Sequence, residues 1–311
     1  MLKRGAIELS FGWLFAIFAG LVIIFLAIYF SSKIIGTEKQ TTNAETAKEI
    51  GILLSPLETN FESAQTTSIS IPQETRFYNI CLDTDIFGKQ KIQVDQKNMN
   101  SWSSTNISVS FQNKYIFSGE MIQGKKFYLF SKSFYFPFKI ADLVYMTSAN
   151  DIYCFNNAPK EIKEEIENLN QDNLLTENCS EEATINICFG AKDCDINVNM
   201  YSETVEKDNE IIYFSGLEDS RALMYAAIFS DKEVYECELR RLMMRLKELL
   251  ILYENKEIVA RRAGCDDDLG SRMDTLASIL DSPTTSKDLS LIREYVEQIE
   301  DANDARICML W

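Results

Sequence analysis

Residues Leu9 to Phe30, LSFGWLFAIFAGLVIIFLAIYF, carry no charge and, wound as a helix, are long enough to cross the hydrocarbon core of a membrane. At about 1.5 Å per residue the run covers roughly 33 Å, against a core of roughly 30 Å. Nothing comparable recurs downstream, so the sequence predicts a single span with the lipid bilayer as its partner, and one water-facing body of about 280 residues. A cleaved secretory signal has a shorter apolar core, about 7 to 15 residues, and Tyr29-Phe30-Ser31-Ser32 makes a poor cleavage site. The anchor is therefore expected to stay on the chain.

Lys3 and Arg4 precede the run and Lys33 and Lys39 follow it, which by the positive-inside rule leans only slightly towards an inside amino terminus. Three other features point the body outward. The chain has eight cysteines, an even number, as expected where disulfides persist. Two sequons, Asn106-Ile-Ser and Asn178-Cys-Ser, suit glycosylation on an exported surface. Without Lys3, Arg4 and Glu8 the whole-chain charge of −16 becomes −17, from 29 basic and 46 acidic residues. A surface so acidic is repelled by anionic headgroups and by nucleic acid.

Ahead of the run stands Lys3-Arg4-Gly5-Ala6-Ile7-Glu8, which resembles the class III signal peptide of archaeal type IV pilin-like proteins. That resemblance implies a prepilin peptidase cutting next to Gly5, leaving Ala6 first, with the apolar helix retained. Glu8 would then be third in the mature chain, where pilins usually carry that glutamate fifth. Its two readings are a solvated carboxylate at headgroup depth, and a partner for a neighbouring subunit's amino terminus inside a filament. The rest of the chain is similar to uncharacterised single-pass membrane proteins of small-genome archaea, notably in Gly124-Lys125-Lys126-Phe127 through Phe138, in Tyr235-Glu236-Cys237 and in Cys308-Met309-Leu310-Trp311.

Beyond the span, Ala44, Ala47, Ile50, Leu54 and Leu57 recur at helical steps until Pro56 and a Thr/Ser-rich stretch close the segment. Period-two alternation follows, with Ile69 and Ile71, Ile92 and Val94, and Ile107, Val109 and Phe111 marking strands, and Gly88 and Gly124 expected at turns. Lys126 to Ile140 is aromatic almost throughout, which suits either a strand buried on both faces with a bend at Pro137 or an exposed docking surface. Pro159 opens a short charged helix. A second β-segment is marked by Ile185 and Ile187, Ile196 and Val198, and Ile211 to Phe214. The last third reads as helices over 219–229, 231–262 and 272–280, with a final one behind a cap at Ser286.

Cys188 and Cys194 flank a tight turn and are expected to pair. If the last three helices run up, down and up, Cys265 meets Cys308, and Cys237 reaches back to the β-region. No closely spaced Cys pair marks a zinc site. The chain has no histidine, which removes Ser-His-Asp and Cys-His chemistry and His-bound metals. Asp266-Asp267-Asp268 reads as a solvated turn, with calcium as the alternative, and Arg240, Arg241, Arg245 and Lys247 as the outer face of an amphipathic helix answering acidic neighbours. There is no P-loop or Gly-x-Gly-x-x-Gly.

These readings predict an α+β chain divided into an N-terminal transmembrane helix (1–33), a helical stalk (34–65), a β-rich extracytoplasmic body (66–218) and a C-terminal helical subdomain (219–311). The expected role is a disulfide-stabilised, single-pass cell-surface protein of the plasma membrane, structural or recognitive, with no cofactor, metal or nucleic-acid partner. Its protein partner would be a second copy or another envelope protein. Alternatives are a pilin-like filament subunit and a membrane-tethered enzyme working through carboxylates, the latter needing a deep pocket with two facing acids.

Overall fold

The computed structural model describes residues 12–13, 15–33, 65–84, 86–98, 101–103, 108–176, 179, 184–190, 194–217, 220–265, 269–282, 284–306 and 308–311. α1 (Phe15–Lys33) is long and apolar enough to cross a membrane, and no part of it is buried. The stalk expected over 34–65 lies outside the described residues except for its last position, which opens the first strand.

The body is mixed α and β. β1 (Gln65–Leu82), β2 (Lys89–Asn98), β3 (Ser101–Ser103), β4 (Ser108–Phe111), β5 (Tyr115–Phe117), β6 (Met121–Tyr135) and β7 (Lys139–Ser148) make a first sheet in the order β3-β2-β1-β6-β7-β5, with β4 also on β2. The second sheet comprises β8 (Tyr153–Asn156), β9 (Leu174–Leu175), β10 (Ile185–Phe189), β11 (Ile196–Asn199), β12 (Thr204–Lys207) and β13 (Glu210–Tyr213), ordered β13-β12-β11-β10-β8-β9. α2 (Lys160–Leu169) joins the parallel pair β8 and β9. α3 (Arg221–Phe229), α4 (Lys232–Arg262), α5 (Gly270–Ile279), a 3₁₀ turn (Ser286–Asp288) and α6 (Leu289–Asp304) complete the chain.

The first sheet curls. In a flat sheet β5 would lie three strand spacings from β1, on the order of 14 Å. Instead the Asn79 amide on β1 donates to Ile116 O of β5 at 3.0 Å and to Ser118 Oγ at 2.9 Å. Gln90 on β2 accepts from Ile116 N at 3.0 Å and donates to Asn79. Side-chain amides thus stand in for a strand ladder along the seam, and the groove they close encloses a core of Phe77, Ile92, Val94, Ile116, Phe127 and Leu129. All four groups are buried, and leaving any of them unpaired would cost about 1–3 kcal/mol.

The opposite face of the same sheet meets the helices. α3 is buried on every side from Ala222 to Phe229, as a helix that is apolar all round must be. Phe229 packs edge-on to Phe130 of the first sheet at 5.6 Å and to Tyr153 of the second at 5.1 Å, which places α3 between the sheets. One continuous core runs from Tyr115 through the second sheet to Ile299 and Leu310.

The aromatic stretch is interior. Phe127 and Leu129 face the curled sheet's own core while Phe130 and Phe134 face the helices, and of this stretch only Tyr135 is strongly exposed. An exposed aromatic docking surface is thereby excluded there. Gly124 lies inside β6 rather than at a turn, opposite Thr75 where the β1–β6 register shifts. A Cβ on Gly124 would stand 2.7 Å from Ser148 Oγ, so close strand approach, not turn geometry, requires the glycine. Gly88, between β1 and β2, has φ of +60°. The cap expected at Ser286 is made by Thr285, whose side chain forms a reciprocal capping box with Asp288, while Ser286 binds the Glu236 carboxylate through its amide and hydroxyl.

Candidate functional site

Four disulfides shape the body: Cys81–Cys237, Cys154–Cys179, Cys188–Cys194 and Cys265–Cys308. Cys188 ends in β10 and Cys194 leads into β11, while Cys265 follows the end of α4 and Cys308 follows α6. Cys237 reaches back to Cys81 on β1. The sequon residues Asn106 and Asn178, the processing residues Gly5, Ala6 and Glu8, and the triplet Asp266-Asp267-Asp268 lie outside the described residues.

The basic island on α4 is an outer face only in part. Arg241 is fully buried, and its guanidinium donates to Phe87 O at 3.1 Å, Lys114 O at 2.9 Å, Gln112 O at 2.9 Å and Glu238 Oε2 at 2.6 Å. It plugs the open end of the curled sheet, with the Tyr115 ring 4.8 Å away and Gly88 so close that a Cβ there would sit 2.9 Å from Arg241 Cγ. Arg240 pairs with Asp83 at 2.6 Å and Arg245 donates to Ile140 O at 2.7 Å, so this segment is fastened to the first sheet at successive turns. Arg240 and Lys247, each partly exposed, meet the expectation of an acidic neighbour, at Asp83 and Asp281. Backbone carbonyls satisfied by a planar, five-donor side chain leave no simple sequence signature, which is why this inward role escapes pattern reading. Burial pushes the Glu238 carboxyl up to about 8, with Arg241 pulling it back down. With no solvent access, this acid is structural.

The accessible candidate lies where α4 begins. Asp231 precedes the helix with an extended backbone, and its carboxylate accepts the Glu120 N–H at 2.7 Å, fixing the connection between β5 and β6. Lys207 on β12 donates to Ile228 O at 3.2 Å and to Ser230 O, capping the carbonyl end of α3. Burial pushes this ammonium down to about 8, opposed by Asp231 and Asp208. Lys232 bridges to Glu210 at 3.1 Å, and the Tyr235 hydroxyl donates to Tyr213 O at 2.8 Å.

Two open clefts of about 480 and 420 Å³ meet here and share Glu120 and Glu233. The larger is lined by Asn79, Met121 and the Cys81–Cys237 bridge, the smaller by Lys207, Asp208 and Asp231. The Glu120 and Glu233 carboxylates have no ionic partner among the described residues. Among those residues, too, no group of three Cys, Asp or Glu side chains could hold a metal ion. An open groove edged by unpaired carboxylates can receive a cationic group by ion pairing, whereas acid–base chemistry calls for enclosed, facing acids.

No family model, no curated protein and no solved structure matches this chain.

Proposed function

We propose that the chain is a single-pass, membrane-anchored protein whose disulfide-braced body stands outside the cytosol and serves a structural or recognition role. The observation that carries the reading is the pairing of all the cysteines in a chain whose α1 is apolar and unburied. Four bridges, spanning sequence separations of 6 to 156, suit an oxidising compartment. A membrane, in turn, supplies the partner that α1 lacks among the described residues. The same apolar helix would serve a secretory signal, but Leu9 to Phe30 exceeds a signal's usual apolar core. The groove beside Glu120 and Glu233 is the surface on which recognition of a cationic partner would fall.

Non-reducing peptide mapping of protein extracted from membranes tests this reading. Four linked peptide pairs are expected, and free thiols throughout would overturn it. The same digest reads the front of the chain: an intact Met1 or Leu2 favours a permanent anchor, whereas a terminus at Ala6 favours the pilin-like filament subunit. A membrane-tethered enzyme using carboxylates finds little support, since among the described residues the most strongly perturbed acid, Glu238, is sealed from solvent.

A further inference from the structure

The second half of α4 has two faces. Leu246, Leu249, Leu250, Tyr253 and Ala260 turn to the core. On the opposite side Ile251, Leu252 and Val259 stand 41%, 61% and 66% exposed, neighbours on one helix surface. Single exposed apolar side chains are ordinary, but a contiguous group facing away from the body marks a contact surface.

This face is symmetrical about Asn255, which is itself exposed. Three, four and seven residues before it come Leu252, Ile251 and Glu248, and three, four and seven after it come Ile258, Val259 and Arg262. Each of those steps returns to the same side of a helix. Glu248 and Arg262 form no ion pair among the described residues. The Asn255 amide donates to Ile251 O at 2.8 Å, leaving the oxygen of the same amide for a partner. The charges that border the face are engaged away from it. On the α5 side Lys247 pairs with Asp281 and Glu254 lies against Asp274, and on the other side Lys256 donates to Leu310 O.

We propose that this face is the contact with a second copy of the chain, α4 packed on α4 end for end with Asn255 at the twofold axis. Ile251 and Leu252 of one copy then meet Ile258 and Val259 of the other, and Glu248 stands opposite Arg262 at two symmetric places. A parallel pairing would set Glu248 against Glu248 and Arg262 against Arg262, so the charges select the antiparallel one. A twofold contact requires a surface complementary to itself, and the symmetry about Asn255 supplies it. The net charge of −16 opposes approach, but at physiological salt it is screened beyond about 8 Å, while the ion pairs act at contact. The contact uses the body alone, so it stands or falls separately from the membrane anchor, and it gives the structural role above a partner.

Sedimentation equilibrium of the full-length protein in density-matched detergent tests the contact. Between residues 248 and 262 the helix pair runs only about 21 Å, so a dimer with a dissociation constant on the order of 10 μM is expected. Glu248→Arg alone or Arg262→Glu alone sets like charges together twice and should weaken it roughly tenfold, whereas both changes in one chain should restore it to within about twofold. Leu252→Asp with Val259→Asp should leave a monomer that keeps its four disulfides. A chain that is monomeric throughout would overturn the proposal. A dimer that no variant weakens would move the contact to another surface such as α1, overturning this face and leaving the anchor standing. Single charge changes that the double change fails to rescue would overturn the antiparallel register, and the proposal with it.

Discussion

The two sheets are held by different means. In the first, β1 and β6 are 18 and 15 residues long, and their ladder aligns them over most of that length. What the first sheet needs is closure, supplied within the sheet by Asn79 and Gln90 and from far along the chain by Arg241 and the Cys81–Cys237 bridge. The second sheet is built of strands of two to five residues, too short to be held by their ladders alone. It is tied locally, by Cys154–Cys179 across 25 residues and Cys188–Cys194 across 6, and lies on the α3 core. Long strands make the cost of a distant closure worth meeting, and short ones are fixed by nearby links.

The sharpest way to break this comparison is to remove the distant bridge. Closing a loop of 156 residues constrains the unfolded chain most, so Cys81→Ala with Cys237→Ala should lower stability by about 5 kcal/mol, read by urea unfolding in detergent. Arg241→Leu should cost about 4 kcal/mol, because three carbonyls and the buried Glu238 lose their donor. Asn79→Ala, opening the seam at one point, should cost about 2 kcal/mol and loosen amide-exchange protection of β5 before that of β6. By contrast, Cys188→Ala with Cys194→Ala closes so small a loop that about 2 kcal/mol is expected, with protection lost around β10 and β11 only. A local bridge that proves costlier than the distant one would reverse the comparison.

The smallest effect is a pH signature of the closure. Glu238 keeps its proton to about pH 8 when folded, against an ordinary 4.5, so the stability it contributes is fully present below 4.5 and is lost as pH rises through about 8. Lys207 runs the other way: its folded value of about 8 lies below the ordinary 10.5, so its contribution is present above 10.5 and is lost as pH falls through about 8. Glu238→Gln should flatten the decline between pH 4.5 and 8 and leave the alkaline window unchanged. Stability measured across pH 4 to 10 checks both signs.

Much of this architecture was legible from periodicity. Val234, Leu239, Leu242, Met243, Leu246, Leu249, Leu250 and Tyr253 mark the inward stripe of α4, buried except for the partly buried Leu249 and Tyr253, and Pro159 and Gly264 mark helix boundaries, because a helix face and a breaker are local properties. β8, β9 and β5 were not legible, being strands of two to four residues with no alternation to count. The seam was invisible for another reason. Asn79 and Gln90 look like ordinary polar positions in strands, and only the curl brings Ile116 to them. Arg241 sat in a cluster of cations that reads as solvated, and its inward turn follows from carbonyls more than a hundred residues away in sequence. The groove at Glu120 joins elements from both sheets and α4, a meeting that no local pattern announces.

The most direct test of the account is sidedness. A membrane-impermeant amine reagent applied to intact cells should modify exposed lysines of the body, such as Lys97 and Lys256, to the same extent as in lysed cells. Modification of these lysines only after lysis would place the body in the cytosol and contradict the account.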